Sequence, residues 1–311
     1  KFFYPTSTLV TGYDIIFFWV ARMIVFGYEV MKERPFETVF VHGIMRDSQG
    51  RKMSKSLGNG IDPLEVIEKY GADSLRFSLL AGNSAGNDMR FYWEKVEAAR
   101  NFCNKIYNAA RFVLMSADPD ATELPPAEEL EIADRWILHR TNAVVGEVTR
   151  NLDSFELGMA AQKIYDFIWS EYCDWYIEIA KPRLYGTDAK KKAAVSAVLT
   201  HVLQTCMKLL HPFMPFITEE IFTKLSDEET IMLSDWPKQD DGLSFEADCA
   251  HMEQMMNLVR SVRNVRAEMK VPPAQRIQLR VIAQQENREA FGEMAETLCK
   301  LVGADNVTVM K

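Results

Sequence analysis

The sequence predicts an α/β segment, then a mainly helical segment, then a small closing α+β module. Three observations carry that reading. Up to about residue 92, short apolar runs at 8–10 and 38–43 alternate with helical stretches, the pattern of an open sheet with helices packed on it. From residue 92 onward, apolar residues recur at helical spacing through several long stretches. Near the end, strand alternation returns at 276–282, followed by a helix at 286–301 and a strand at 307–310. The boundaries that follow are 1–92, 93–240 and 241–311.

Composition fits this. With 311 residues there is room for two or more cores, and 48% hydrophobic with 26% charged residues is a soluble globular balance. The net charge of −8 excludes a generally basic nucleic-acid coat but leaves room for a local basic face. The five cysteines are scattered without a Cys-x-x-Cys pair, so neither a zinc site nor a disulfide framework is expected, and a reducing cytoplasm fits. No signal peptide opens the chain, which begins without Met. The most apolar stretch, 15–26, is short for a bilayer span and contains Arg22; it is expected to be a helix buried on most sides.

In chain order, the strand at 38–43 is expected to be buried and leads into His42-Gly43 and then the loop Lys52-Met53-Ser54-Lys55-Ser56. Beyond the loop, Asp62-Pro63 starts a helix, with Asp62 as cap and Pro63 in the first turn where its missing N–H costs nothing. Helices are expected at 63–70 and 73–81. A strand-to-helix loop carrying two lysines, two small hydroxyls and flanking glycines is chemistry for holding a polyphosphate. Taken singly, such a loop also reads as a solvated basic turn.

Residues 83–90 form a turn-rich connector, and 92–116 a long helix with Phe102, Ile106, Ala109 and Val113 as its buried stripe. Asn101, Asn104, Lys105, Asn108 and Phe112 fall on a neighbouring face, with Arg100 close by. Amides and cations beside an aromatic supply edge hydrogen bonds, phosphate neutralisation and a stacking plane for single-stranded bases; a solvated face is the alternative. After an acidic linker at 118–131, helices are expected at 128–151, 155–180 and 189–210. The aromatics of the second read as core, and Pro182 as its end. His211-Pro212 and Pro215 mark a helix break and restart. An extended piece is expected at 230–237, then a helix at 252–269 carrying Arg260, Arg263 and Arg266. These arginines read either as phosphate contacts or as an exposed face paired with acidic surface.

The Lys52–Ser56 loop, with His42-Gly43 before it and Gly58-Asn59 then Asp62-Pro63 after it, resembles the second signature of class I aminoacyl-tRNA synthetases. Lys69-Tyr70-Gly71-Ala72-Asp73-Ser74-Leu75-Arg76-Phe77 is similar to the same family. Tyr4-Pro5-Thr6-Ser7 and the run from Thr11-Gly12-Tyr13-Asp14 through Trp19 to Met23 resemble its valine-specific branch, and the run at 211–221 resembles the helical-bundle signature of its valine, isoleucine and leucine branches.

The resemblance implies the end of a Rossmann-like class I catalytic domain, an α-helical anticodon-binding bundle and a small α+β module. It implies ligation of valine to tRNA(Val) with ATP and Mg2+, by a cytoplasmic monomer without membrane contact or a resident metal. Lys52 and Lys55 would offset charge on the leaving pyrophosphate. Lys52, Met53, Ser54, Lys55, His42 and Gly43 would contact ATP. Asp14 and Trp19 would form the amino-acid pocket, and Arg100, Asn104, Lys105, Asn108 and Phe112 would meet the anticodon. Without the resemblance, Asp14 reads as a helix cap, Trp19 as core and His42 as a structural histidine. The first class I signature, of His-x-Gly-His type, does not occur. The chain is therefore expected to be a carboxyl-side part, inactive alone. An isoleucine-type relative and a non-catalytic interaction scaffold are the alternatives.

Overall fold

A computed structural model of the chain describes residues 2–272 and 274–310, without the side chains of Lys55 and Glu286. The chain forms two compact units, one of Lys1–Ile106, Glu147–Tyr165 and Leu209–Glu220, the other of Tyr107–Gly146, Asp166–Lys208 and Ile221–Lys311.

In the first unit, β1 (Thr6–Gly12) and β2 (Phe36–His42) pair in parallel, with Gly12 opposite His42 at their carboxyl ends. The connection is a helical stretch: a turn at Tyr13–Ile15, α1 (Ala21–Phe26), and wider π-helical turns at Ile16–Val20 and Gly27–Met31. A strand–helix–strand crossover is what parallel pairing requires. Two expectations fail here. Within the 15–26 stretch only Val20 is buried, while Phe17 is 85% exposed and Phe18, Val25 and Phe26 are also exposed. β2 is half-buried, with Val39 exposed. The reason is arithmetic: a helix apolar all round and a parallel strand each need cover on more than one side, and the described residues supply it on only one.

Next come β3 (Met45–Arg46) and β4 (Met89–Arg90), a second parallel pair. Between them lie α2 (Pro63–Tyr70) and α3 (Ala72–Leu80). Asp62 caps α2 as expected, accepting from the Leu64 N–H at 2.9 Å. α4 (Trp93–Ser116) follows, with Phe102, Ile106, Ala109 and Val113 buried as its spacing predicts. The turn between α5 (Ile132–Asp153) and α6 (Leu157–Asp166) adds Phe155, which stacks on Phe40, and α6 adds Tyr165, which stacks on Phe77. α5 starts four residues later than expected, because the backbone is still extended at Leu130.

α3 is also tied to the helix break at 211–214. The Asp73 carboxylate accepts from the N–H groups of Phe216 (3.3 Å) and Ile217 (2.7 Å), capping the start of α9 (Pro215–Leu225) from another helix. Arg76 donates to the carbonyls of Pro212 and Phe213.

The second unit is built on buried stripes. A π-helical run at Phe167–Tyr176 leads into α7 (Ile177–Leu184); Phe167, Tyr172 and Tyr176 are core, as the aromatic spacing predicts. Pro182 lies inside α7, which runs on to Leu184. α8 (Ala189–Leu210) has the length and apolarity of a membrane span, yet Val195, Val198, Leu199 and Val202 are buried within the protein. Residues 231–233 form a 3-10 turn where extended chain was expected. α10 (Glu246–Glu268) begins six residues earlier than expected.

The closing module is β5 (Ile277–Ile282), α11 (Arg288–Glu293), α12 (Ala295–Val302) and β6 (Ala304–Met310), with β5 and β6 parallel. Arg263 donates to the Leu301 carbonyl, and Arg266 to those of Val302, Pro272 and Gln275. Arg260 and Arg263 lie over the Trp175 ring. Arg263 and Arg266 thus reach the carbonyl end of α12, where the helix dipole favours cations.

Candidate functional site

The Lys52–Ser56 loop hangs from the carboxyl side of β3. Residues 46 and 52 bridge in antiparallel fashion around a tight turn, closed by Asp47 N–H to Arg51 C=O (3.0 Å) and Gly50 N–H to Asp47 C=O (2.9 Å). Gly50 adopts φ +82°, a left-handed conformation glycine takes without penalty.

The turn is organised by the buried Asp47 carboxylate, which accepts from Gln49 N–H (3.1 Å), Arg51 N–H (2.8 Å), Arg51 Nε (2.7 Å) and Asn59 Nδ2 (2.9 Å). These donors, Asn59 foremost, hold its pKa down at about 2. Asn59 in turn accepts from Ser54 N–H (3.0 Å) and donates to the Lys52 carbonyl (3.3 Å). Ser54 Oγ accepts from Leu57 N–H (3.3 Å) and lies 3.1 Å from Ser56 Oγ. The Met53 side chain packs against the small core of Val66, Phe91 and Val96. Within this loop, methionine is an apolar anchor between two outward polar residues.

Lys52 projects from the loop, and its Nζ is 3.2 Å from Asp14 Oδ2. Asp14 follows directly from the carboxyl end of β1. It does not act as a helix cap; its carboxylate faces Lys52, and its Oδ1 crowds Gly12, where a Cβ would sit only 2.9 Å away. The His42 ring lies beside the same glycine, and its Nδ1 is 2.7 Å from the Gly43 carbonyl. A Cβ on Gly43 would fall 1.9 Å from the Asn87 carbonyl oxygen, so backbone-to-backbone packing needs glycine there. Asp88 completes the frame: it accepts from Ile44 N–H (2.8 Å), Tyr13 Oη (3.2 Å) and Arg46 Nε, and these bonds lower its pKa.

Lys52, Asp14, His42 and Gly43 are therefore gathered at the carboxyl ends of parallel strands, where open α/β sheets bind ligands, while the contacts of Ser54 stay within its own loop. Trp19 is 57% exposed on the π-helical turn. The Lys55 side chain lies outside the described residues. Arg100, Asn104 and Asn108 are exposed along α4, Lys105 and Phe112 are half-buried, and Lys181 Nζ lies 5.6 Å from the Phe112 ring centre. Asp47, Asn59 and Asp88 were not singled out from sequence. The signal was present, an Asp-x-x-Gly turn before the loop and an Asn after it, but hydrogen bonds across twelve residues leave no periodicity to read.

The family described as class I tRNA synthetases (I, L, M and V) matches residues 1–92, and the anticodon-binding domain of tRNA ligases matches 134–282. The chain is 56% identical over its whole length to the valine–tRNA ligase of Clostridium perfringens and 53% identical to that of Clostridium acetobutylicum. The chain belongs to the class I tRNA synthetases, on the valine branch. It spans 36% of the length of those two relatives.

Solved structures of this family share the fold. The LeuRS–tRNA–LeuAMS ternary complex of Agrobacterium radiobacter K84 superimposes with TM-score 0.62 at 21% identity, over 78% of this chain and 29% of that one. Methionyl-tRNA synthetase of Mycobacterium tuberculosis, solved with methionyl-adenylate, gives 0.59 at 25% identity, over 70% and 44%.

Proposed function

We propose that this chain supplies the pyrophosphate-stabilising loop and the anticodon-binding helices of a valine–tRNA ligase. The supporting observation is the meeting of Lys52 with Asp14 at the carboxyl ends of β1 and β2. Valine's carboxylate attacks the α-phosphorus of ATP, pyrophosphate leaves, and the valyl group then passes to the terminal ribose of tRNA(Val). Charge builds on the leaving phosphates in the first step, so cations placed beside them lower its barrier. Lys52 and Lys55 provide that charge, and the Ser54 hydroxyl adds a hydrogen bond. Asp14 receives the ammonium or ribose, Trp19 walls the aliphatic pocket, and His42 and Gly43 border the nucleotide.

Mg2+ arrives with ATP as part of the substrate. The α4 face of Arg100, Asn104, Lys105, Asn108 and Phe112 meets the anticodon. The enzyme works as a cytoplasmic monomer.

Lys52 and Asp14 neutralise one another in the unliganded protein, so substrate must separate them. Lys52→Ala in the full-length ligase is expected to slow valine-dependent pyrophosphate exchange on the order of a hundredfold, with tRNA affinity unchanged. Unchanged exchange would overturn the assignment.

A further inference from the structure

We propose that Asp47 and Asn59 are positioning residues for adenylate formation: together they fix where the Lys52–Ser54 segment presents its cation and hydroxyl. The inference rests on the reading of that loop as the pyrophosphate-stabilising element.

The geometry is unusually closed for a surface loop. One amide group, Asn59, touches the loop at both ends of Met53: its oxygen takes the Ser54 N–H at 3.0 Å and its nitrogen reaches the Lys52 carbonyl at 3.3 Å. The same nitrogen is fixed by Asp47 Oδ2 at 2.9 Å. Asp47 is itself immobilised by three donors from the preceding turn. Below, the Met53 side chain is held in the small apolar core. The backbone of residues 52–54 is thus gripped from two sides, and neither Asp47 nor Asn59 needs to touch substrate to set its position.

The loop carries a mobile cation on a long side chain, and electrostatic stabilisation of a leaving group depends on where that cation's base is held. A mutual polarity also follows. Asp47 only accepts and Asn59 both donates and accepts, so neither residue can be exchanged alone for its isostere without placing two like groups face to face. Asp47→Asn turns a second amide nitrogen toward Asn59 or Arg51. Asn59→Asp opposes two carboxylates. The double exchange restores one donor–acceptor contact between the pair.

The test uses the ligase at full length and separates its two steps: valine-dependent pyrophosphate exchange, and transfer of valine from preformed adenylate to tRNA. Lys52→Ala calibrates the reading on which the inference rests. Asn59→Ala is expected to lower the exchange kcat by about tenfold to a hundredfold, with the KM for valine and the transfer step unchanged. The Asp47→Asn, Asn59→Asp pair is expected to lose less than the product of its single variants, as coupled residues do.

If Lys52→Ala slows exchange and Asn59→Ala does not, the positioning role is overturned while the loop assignment stands. If Lys52→Ala leaves exchange intact, the loop assignment itself falls. Should Asn59→Ala depress both steps equally, or the paired exchange lose the full product, the two residues merely support the fold and the inference fails.

Discussion

The loop end of the first unit and the helices of the second are held together by opposite means. Around Lys52 the apolar core is small, Val66, Phe91 and Val96 with partly buried neighbours, and the chain path is set by the carboxylates of Asp47 and Asp88 and the amide of Asn59. In the second unit, apolar side chains from α5, α7, α8 and α10 form the buried core, with the Asp134–Arg183 ion pair set inside it. Polar bonds fix position without adding much stability, while apolar burial stabilises but is non-directional. A site that must position charge is built on the first principle, a scaffold on the second.

The most severe way to test that contrast is to break the ion pair. Asp134 is buried, meets Arg183 through two bonds of 2.5 and 2.7 Å, and also accepts from Tyr176 Oη at 2.6 Å. Burial raises the Tyr176 pKa well above its ordinary value, so the phenol stays a donor. Arg183→Met leaves a buried carboxylate facing only two neutral donors, the Tyr176 hydroxyl and the Glu131 N–H, and is expected to cost about 3–5 kcal/mol in denaturant unfolding. A loss under 1 kcal/mol would show that the scaffold does not depend on its polar centre.

A smaller but more local effect is expected at Gly43. Gly43→Ala drives a methyl group into the Asn87 carbonyl, at a cost of about 1–3 kcal/mol. The damage should be confined to the loop end. Hydrogen exchange should quicken at Ile44, whose N–H is held by Asp88, and stay unchanged in α8. Uniform quickening would mean the two regions unfold together.

How much of this was legible in sequence follows from the same contrast. The stripe Phe102, Ile106, Ala109, Val113 and the aromatics Phe167, Tyr172 and Tyr176 were read correctly, because burial on one side of a helix imposes a period on the chain. The loop's residue types stood out because lysines, hydroxyls and glycines are chemically distinctive. The Asp47–Asn59 and Asp73–Ile217 bonds were not legible, since a hydrogen bond between distant residues marks neither with a pattern. The 15–26 helix was misread for another reason: an apolar run states a demand for cover, not that these residues meet it. At Arg263 and Arg266 the charge alone gave no sign of the backbone carbonyls they donate to.

Acid should expose the polar scaffold of the loop. The carboxyl of Asp47 has a lowered pKa, about 2 against an ordinary 3.8, so its contribution is fully present above the ordinary value and fades as pH falls toward 2. Asp88 is lowered as well, chiefly by the Ile44 N–H. Side-chain amide resonances of Asn59, followed by NMR, should hold their folded shifts down to about pH 3 and move below it. In Asn59→Ala the largest cause of the shift is gone, so the Arg51 Nε–H resonance should report loss of Asp47's grip at a higher pH. An Asp47 titration unmoved by that substitution would place its control in Arg51 instead.

The smallest effect is expected where sequence alone suggested the largest. Phe17 sits in the most apolar stretch of the chain and is 85% exposed, while Phe102 is fully buried between Phe77 and Tyr165. Deleting the Phe102 ring (Phe102→Ala) removes packing that nothing refills and should cost about 3–5 kcal/mol. Phe17→Ser removes a ring already in water, and the chain should unfold within about 0.5 kcal/mol of the parent, with solubility improved because an exposed aromatic is lost. The pair separates hydrophobicity from burial at constant residue type. A cost above 1 kcal/mol for Phe17→Ser would mean that the 15–26 helix finds apolar cover in solution, and that the first unit, like the second, is stabilised chiefly by its core.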